Sequence, residues 1–271
     1  GLERPRRVRS RSRHAMPEKA PEPLRPAQME DQGVEAKNEA QGPQAKAGLL
    51  GFDWDCTLTT RHFFRVFANG YLKGDMAVHP HCAAFETWCA ARGLPTKMRA
   101  VPPGNWANDP MGAALEDFCR RAGEATFRKL LREVFLGGEE RINLVAEALR
   151  QARRSGLEFA IVTAGSASAV LRALVAVPEW SQFFPVSHVW DVSQSRHKVS
   201  SVMATKALLL RGLSPQGGRI MLADDSLERD RPPAWVLQAT GVELFKGPLP
   251  YEGPGLDMAS LQELLRAATG A

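Results

Sequence analysis

Gly48-Leu49-Leu50-Gly51-Phe52-Asp53-Trp54-Asp55 is a short apolar run that breaks off in two acids. This is the pattern of a strand buried on both faces whose C-terminal end opens on a site. Similar runs follow at Leu157 to Thr163, Val186 to Trp190, Arg219 to Asp224 and Val242 to Phe245. Helical spacing separates them. Ile142, Leu144, Val145, Ala148 and Leu149 share a face before the second run, and Val170, Leu171, Leu174 and Val175 follow it. Val199, Val202, Met203 and Leu210 precede the fourth run, in a helix that stops at Gly212. Strands alternating with helices of this length predict an α/β fold, a Rossmann-like parallel sheet with helices on both faces. In such sheets a ligand sits beyond the carboxyl ends of the strands.

The 271 residues are 44% hydrophobic and 24% charged, enough apolar material for a substantial core. No run approaches the ~20 apolar residues of a membrane helix. Four cysteines without a Cys-x-x-Cys pair read as reduced thiols rather than a disulfide framework. The net charge of +5 is local: residues 1–14 hold six arginines and one acid, which accounts for all of it. The remainder is neutral, which argues against nucleic-acid binding by the folded part and leaves residues 1–14 as the one candidate contact. Residues 1–47, rich in Arg, Pro, Glu, Gln and Ala, are expected to be a disordered tail. No apolar segment follows the arginines, so the tail is not a secretory signal. The expected compartment is the cytoplasm, with nuclear or organellar targeting by the Arg-rich tail as the alternative. The chain opens on Gly1 rather than Met, so residues upstream of it are allowed for.

The strand ends carry polar residues: Asp53 and Asp55 on the first, Thr163 on the second, Asp224 and Asp225 on the fourth. Carboxylates collected at one sheet edge disfavour one another's ionisation unless a cation lies among them. Oxygen-only ligation favours Mg²⁺ or a similar hard ion. Taken singly, each residue also reads as a turn or helix-cap residue. Taken together, they point to a site.

These residues resemble the motifs of the haloacid dehalogenase-like hydrolase superfamily. Phe52-Asp53-Trp54-Asp55-Cys56-Thr57-Leu58-Thr59 is similar to its first motif, Asp-x-Asp-x-Thr. Ile161-Val162-Thr163-Ala164-Gly165-Ser166 is similar to its second, and Ile220-Met221-Leu222-Ala223-Asp224-Asp225-Ser226 to its fourth, with Asp230 as the further acid. The resemblance covers about residues 48–246 and implies a Mg²⁺-dependent phosphomonoester hydrolase of the phosphatase type. It implies Asp53 as nucleophile and Asp55 as general acid/base. For the metal it implies the Asp53 carboxylate, the Asp55 backbone carbonyl and Asp224, Asp225 or both. Thr163 and the backbone after it at Ala164 would bind the phosphoryl group. Dehalogenating members lack the acid at the Asp55 position, which favours phosphoryl transfer here.

The third motif is a lone lysine before the fourth strand. Lys198, at the helix start, is the expected one, because a side chain there reaches the sheet edge. Lys206 is expected about two turns inside the helix and facing solvent.

Residues 61–136 are not required by the alternating sheet. They read as helices at His62–Phe67, Ala83–Ala91, Met111–Ala122 and Thr126–Phe135, and the resemblance implies a helical cap inserted after the first strand. The core is then 48–60 and 137–271. A Pro/Gly/Asn loop in the insert, Val101 to Pro110, offers Asn105, Trp106, Asn108 and Asp109 as substrate contacts. A cap of this size favours a small phosphorylated metabolite. His79-Pro80-His81-Cys82 with Cys89 matches no zinc spacing and reads as a helix start with a buried cysteine. Two other functions fit the same residues: a phosphotransferase or phosphomutase, and an inactive binding protein steered by the Arg-rich tail.

Overall fold

The computed structural model describes residues 48–76, 79–99, 109–196, 199, 201–214 and 218–270. The tail expected over 1–47, Lys198 and the loop residues Asn105, Trp106 and Asn108 lie outside the described residues.

The chain runs from β1 (Gly48–Phe52) through α1 (Pro80–Ala90), α2 (Pro110–Ala122) and α3 (Glu124–Leu130) into α4 (Gly138–Arg154) and β2 (Leu157–Thr163). There follow α5 (Ala167–Val175), α6 (Pro178–Ser181), β3 (Val189–Asp191), α7 (Val202–Leu213), β4 (Ile220–Ala223), α8 (Ala234–Thr240), β5 (Val242–Leu244) and α9 (Met258–Thr269). Each of the five apolar runs contains a strand. The third begins late, because Val186–His188 forms a 3₁₀ turn before β3.

All strands pair in parallel, in the order β3-β2-β1-β4-β5. Parallel neighbours need long crossovers, which the helices supply. Side chains alternate between the two faces. Leu50 and Phe52 of β1, Phe159 and Ile161 of β2, and Met221 and Ala223 of β4 join one core cluster that includes residues of α4, α5 and α9. Leu49, Ala160, Val162, Ile220 and Leu222 join the other, with Met203, Ala207 and Leu210 of α7 and Val236 of α8. Leu144 and Val175 fall outside the core, at 45% and 75% exposed. Leu144 lies two positions from Ile142 and from Ala146, which puts it about 160–200° away around the helix.

β1 is central. The chain leaves it toward β2 and β3 on one side and returns to β4 and β5 on the other. The crossovers diverge between β1 and β4, which opens a crevice at the carboxyl ends of those two strands.

The helical segment between β1 and α4 shares the first core cluster. Phe67 is its hub, with ring centroids 5.5 Å from Phe85, 5.7 Å from Phe118 and 5.9 Å from Phe135. Phe63 packs edge-on against Phe135 at 4.9 Å and against Trp54 at 6.4 Å, tying the segment to the loop after β1. Asp109 caps α2, accepting from the Gly112 amide at 2.9 Å, and bonds Ser168 of α5.

Candidate functional site

Asp53 follows β1 directly, and its amide donates to the Ala223 carbonyl at 2.9 Å, extending the β1–β4 pairing by one residue. Asp53 and Asp55 have extended backbone, after which Cys56 turns the chain through the left-handed region (φ 54°). Both acids line a cavity of about 650 Å³ beyond the strand ends, together with Thr163, Ala164, Gly165 and Asp225. Thr57 lies behind them, its Oγ1 accepting from the Asp225 amide at 3.2 Å and fixing the first loop to the end of β4.

Asp53, Asp224 and Asp225 are all buried, and each offers a carboxylate oxygen within 4.8 Å of the others. Lys206 enters this group. Its Nζ donates to Asp53 Oδ1 at 2.7 Å and to Asp224 Oδ2 at 2.6 Å. The residue is 1% exposed, which corrects the expectation that it faces solvent. The reason is where α7 starts. Ser201 caps it, accepting from the Ala204 amide at 3.1 Å, so Lys206 sits about one turn in rather than two. Side chains on a helix lean toward its N-terminus, and Val202 and Met203 of that end line the cavity. Leu210, one turn farther on, lies against Gly51: a Cβ there would fall 2.5 Å from Leu210 Cδ1. The missing side chain at Gly51 is what lets α7 close on β1 and bring Lys206 to Asp53.

Among the described residues, one ammonium, Lys206, stands within this group of three carboxylates. Burial, with the charges of Asp224, Asp55 and Asp225, raises the Asp53 carboxyl well above its ordinary value despite the opposing Lys206. Burial chiefly pushes Asp225 up to about 6, with the Asp224 charge adding to it. Burial alone would lower Lys206, but Asp224 and Asp53 outweigh it and hold the ammonium protonated. An all-carboxylate donor set fits a hard divalent ion such as Mg²⁺.

The Asp55 carboxylate belongs to a different set of partners. Its Oδ1 accepts from the Phe64 amide at 3.0 Å and lies 3.4 Å from His62 Nδ1. Burial raises its pKa, but His62 and the Phe64 and Phe63 amides outweigh burial and hold it below the ordinary value. His62 shifts the other way: burial lowers it, and the Asp55 charge and hydrogen bond bring it above its ordinary value. Opposite Asp55, Thr163 Oγ1 accepts from the Gly165 amide at 3.0 Å. A Cβ on Gly165 would come within 3.3 Å of Phe64 and 3.6 Å of Asp55 Oδ2, so this loop lies directly against the acid. Asp230 stands apart from the acid cluster, accepting from the Met203 amide at the start of α7.

The cavity also holds residues that the motifs did not mark: His62, Phe64, Arg65 and Asn69 of the helical segment, with Arg229 and Tyr251. Arg65 Nη2 donates to the Tyr251 hydroxyl at 3.1 Å, and the Arg229 guanidinium lies 4.2 Å from that ring's centre. Glu252 follows in the left-handed region (φ 52°), and its amide donates to Asp225 Oδ2 at 2.7 Å. Nothing in the residue types of Pro250-Tyr251-Glu252-Gly253-Pro254 beyond a turn signal marks this loop as part of a site. Asp109, expected from the sequence as a substrate contact, caps α2 and bonds Ser168. Cys56 is fully buried, and burial, with the charges of Asp55, Asp225, Asp53 and Glu252, keeps its thiol protonated. Cys82 and Cys89 lie in the apolar core.

No family model matches the chain, and no curated protein matches it. Among solved structures it is similar to a candidate beta-phosphoglucomutase from Thermotoga maritima, at 14% identity over 81% of this chain and 99% of that one, TM-score 0.39. It is also similar to a HAD family hydrolase from Deinococcus radiodurans R1 with bound phosphate and sodium, at 18% identity over 81% and 89%, TM-score 0.37. A third is a HAD hydrolase, family IA, variant 3, from Entamoeba histolytica, at 11% identity over 81% and 99%, TM-score 0.32.

Proposed function

We propose that this chain is a haloacid dehalogenase-like phosphomonoester hydrolase that works through an aspartyl-phosphate on Asp53. The observation that carries the reading is the convergence of Asp53, Lys206, Asp224 and Asp225 at the crevice between β1 and β4, with Asp55 and Thr163 on the same cavity. A purely structural role does not account for two buried carboxylates sharing one lysine with a third buried carboxylate beside them.

In this mechanism an Asp53 carboxylate oxygen attacks phosphorus while the bond from phosphorus to the leaving oxygen breaks. The Asp55–His62 pair gives that oxygen a proton through Asp55, the proton coming from the His62 imidazolium that the Asp55 charge favours. A water then loses a proton to Asp55 and attacks phosphorus, and the bond from Asp53 to phosphorus breaks to release phosphate. Lys206 holds the nucleophile in place and offsets its charge. Thr163 and the Ala164 backbone bind phosphoryl oxygens, whose spread-out negative charge is the main thing to be stabilised. Mg²⁺ held by Asp53, the Asp55 carbonyl and Asp224 or Asp225 would supply further positive charge to that group.

Residues 61–136 are read as the cap, supported by His62, Phe64, Arg65 and Asn69 lining the same cavity as Asp53. A cavity of about 650 Å³ suits a small phosphorylated metabolite. The test is phosphate release from an aryl phosphate, which should require Mg²⁺ and vanish in Asp53→Asn. Activity retained in that variant overturns the mechanism. Product analysis with an added alcohol acceptor separates hydrolysis from phosphoryl transfer to a second hydroxyl.

A further inference from the structure

His79, His81 and Glu252 come together beside the cavity, though 171 positions of chain or more separate the histidines from the acid. Each offers one donor atom, and these atoms lie within 4.8 Å of one another. The cluster owes nothing to Cys82 or Cys89, the residues that a His-x-His-Cys reading would recruit; both point into the apolar core.

The way these residues are held indicates more than surface packing. His79 is extended and stands just before α1, Pro80 opens the helix, and His81 is in its first turn. That places the two imidazoles in a stack, 5.0 Å between centres and 18° between planes. His81 is 7% exposed. His79 Nε2 lies 3.1 Å from Glu252 Oε2, while its Nδ1 is buried with no hydrogen-bond partner among the described residues. A buried polar atom without a partner costs roughly 1–3 kcal/mol, so the fold holds this imidazole in place against that cost. Glu252 adopts the left-handed conformation, rare for a non-glycine residue. That strain is what turns its carboxylate toward the histidines while its amide faces Asp225. Such outliers concentrate at functional sites.

We propose that His79, His81 and Glu252 form a second cation site, separate from the Asp53/Asp224/Asp225 cluster, that takes a borderline transition-metal dication of the Zn²⁺ class. Two imidazole nitrogens and one carboxylate oxygen suit such an ion, whereas the neighbouring all-oxygen cluster suits Mg²⁺. Arg65 already holds Glu252 Oε1 at 2.6 Å, so the acid serves through Oε2 alone. The Arg65 charge opposes the cation, and Glu252 and the nearby Asp55 and Asp225 carboxylates favour it. With three protein donors, the site leaves at least one position for water or for a ligand atom. Occupancy would also pin the Glu252 turn, and through its amide the Asp225 carboxylate. The inference stands on this geometry and does not require the phosphatase reading.

The probe is Co²⁺, which occupies Zn²⁺ sites and reports its ligands by visible absorption. The full chain is titrated in excess Mg²⁺, which keeps the acid cluster filled. One equivalent should bind with an absorption band. That binding should weaken by at least about tenfold in His79→Asn and in Glu252→Gln, with unchanged circular dichroism, and it should persist in Asp53→Asn. His79, which borders α1 rather than its core, gives the variant least able to disturb folding. Glu252→Gln keeps the shape of the side chain and provides an independent check. No Co²⁺ uptake, or uptake lost in Asp53→Asn but kept in His79→Asn, overturns the proposal. Either result leaves the Mg²⁺-dependent hydrolase reading to its own test.

Discussion

Lys206 Nζ lies 2.7 Å from Asp53 Oδ1, a buried contact across 153 positions of chain. It joins the helix before β4 to the end of β1, and the same ammonium holds Asp224. Lys206→Met should therefore cost stability as well as activity. Two buried carboxylates would lose their shared cation, an effect worth about 3–5 kcal/mol when a buried pair is broken from one side. Urea unfolding of the variant beside wild type checks this. A variant as stable as wild type would mean that the lysine does not hold the acids.

Asp53→Asn should behave oppositely. The folded protein raises the Asp53 pKa, so ionised Asp53 opposes folding at pH values above its unfolded pKa. The amide removes that penalty, and Lys206 keeps Asp224 as a partner. In metal-free protein at pH 7 the variant should melt no lower than wild type, while phosphate release falls by at least about a thousandfold. Added Mg²⁺ should raise the melting temperature of wild type more than that of the variant. Calorimetry with and without Mg²⁺ reads both effects.

Gly51→Ala should act on the site from behind the sheet. The new Cβ meets the Leu210 side-chain tip at 2.5 Å, and because Leu210 is fully buried the expected response is an outward shift of α7. Overpacking of this kind costs about 1–3 kcal/mol, and here it should also draw Lys206 from Asp53 and lower kcat. Shortening the opposing side chain, in Gly51→Ala with Leu210→Ala, should recover part of the kcat loss. A double-mutant cycle showing strict additivity would sink this account of how α7 seats.

Acid should loosen the helical segment through Asp117. Burial raises its pKa, but hydrogen bonds from Arg120, Tyr71 and Arg121 outweigh burial and hold it below 3.8. A depressed carboxylate contributes stability above its unfolded pKa and loses it as pH falls through the folded value. Because Arg120 is largely exposed, the contribution is discounted to about 1–2 kcal/mol. Asp117→Asn should therefore unfold more easily than wild type at pH 7, and by a smaller margin at an acid pH below the ordinary carboxylate value. An equal difference at both pH values would point to packing rather than charge.

Much of this architecture was legible in the sequence because it is local. A strand buried on both faces shows as an apolar run, and the acids at its end mark where the chain reaches the sheet edge. Asp53, Thr163, Asp224 and Asp225 could be read from that pattern alone. Lys206 could not, since its burial depends on the helix starting at Val202 and on the lack of a side chain at Gly51. Nor could Glu252: its place beside Asp225 and His79 follows from a left-handed backbone angle that residue types do not announce. His62 reaches Asp55 by a turn seven positions on, which no periodicity records.

The strand order has a bearing on the birth of the molecule. β1 leaves the ribosome first yet occupies the middle of the sheet, between β2 and β4. Its carboxylate must wait for a lysine and two acids that emerge about 150 to 170 residues later, and Glu252 arrives later still. Nascent chains that have not yet reached Asp225 hold no assembled acid cluster, so the cluster can form only once β4 has emerged to pair with β1.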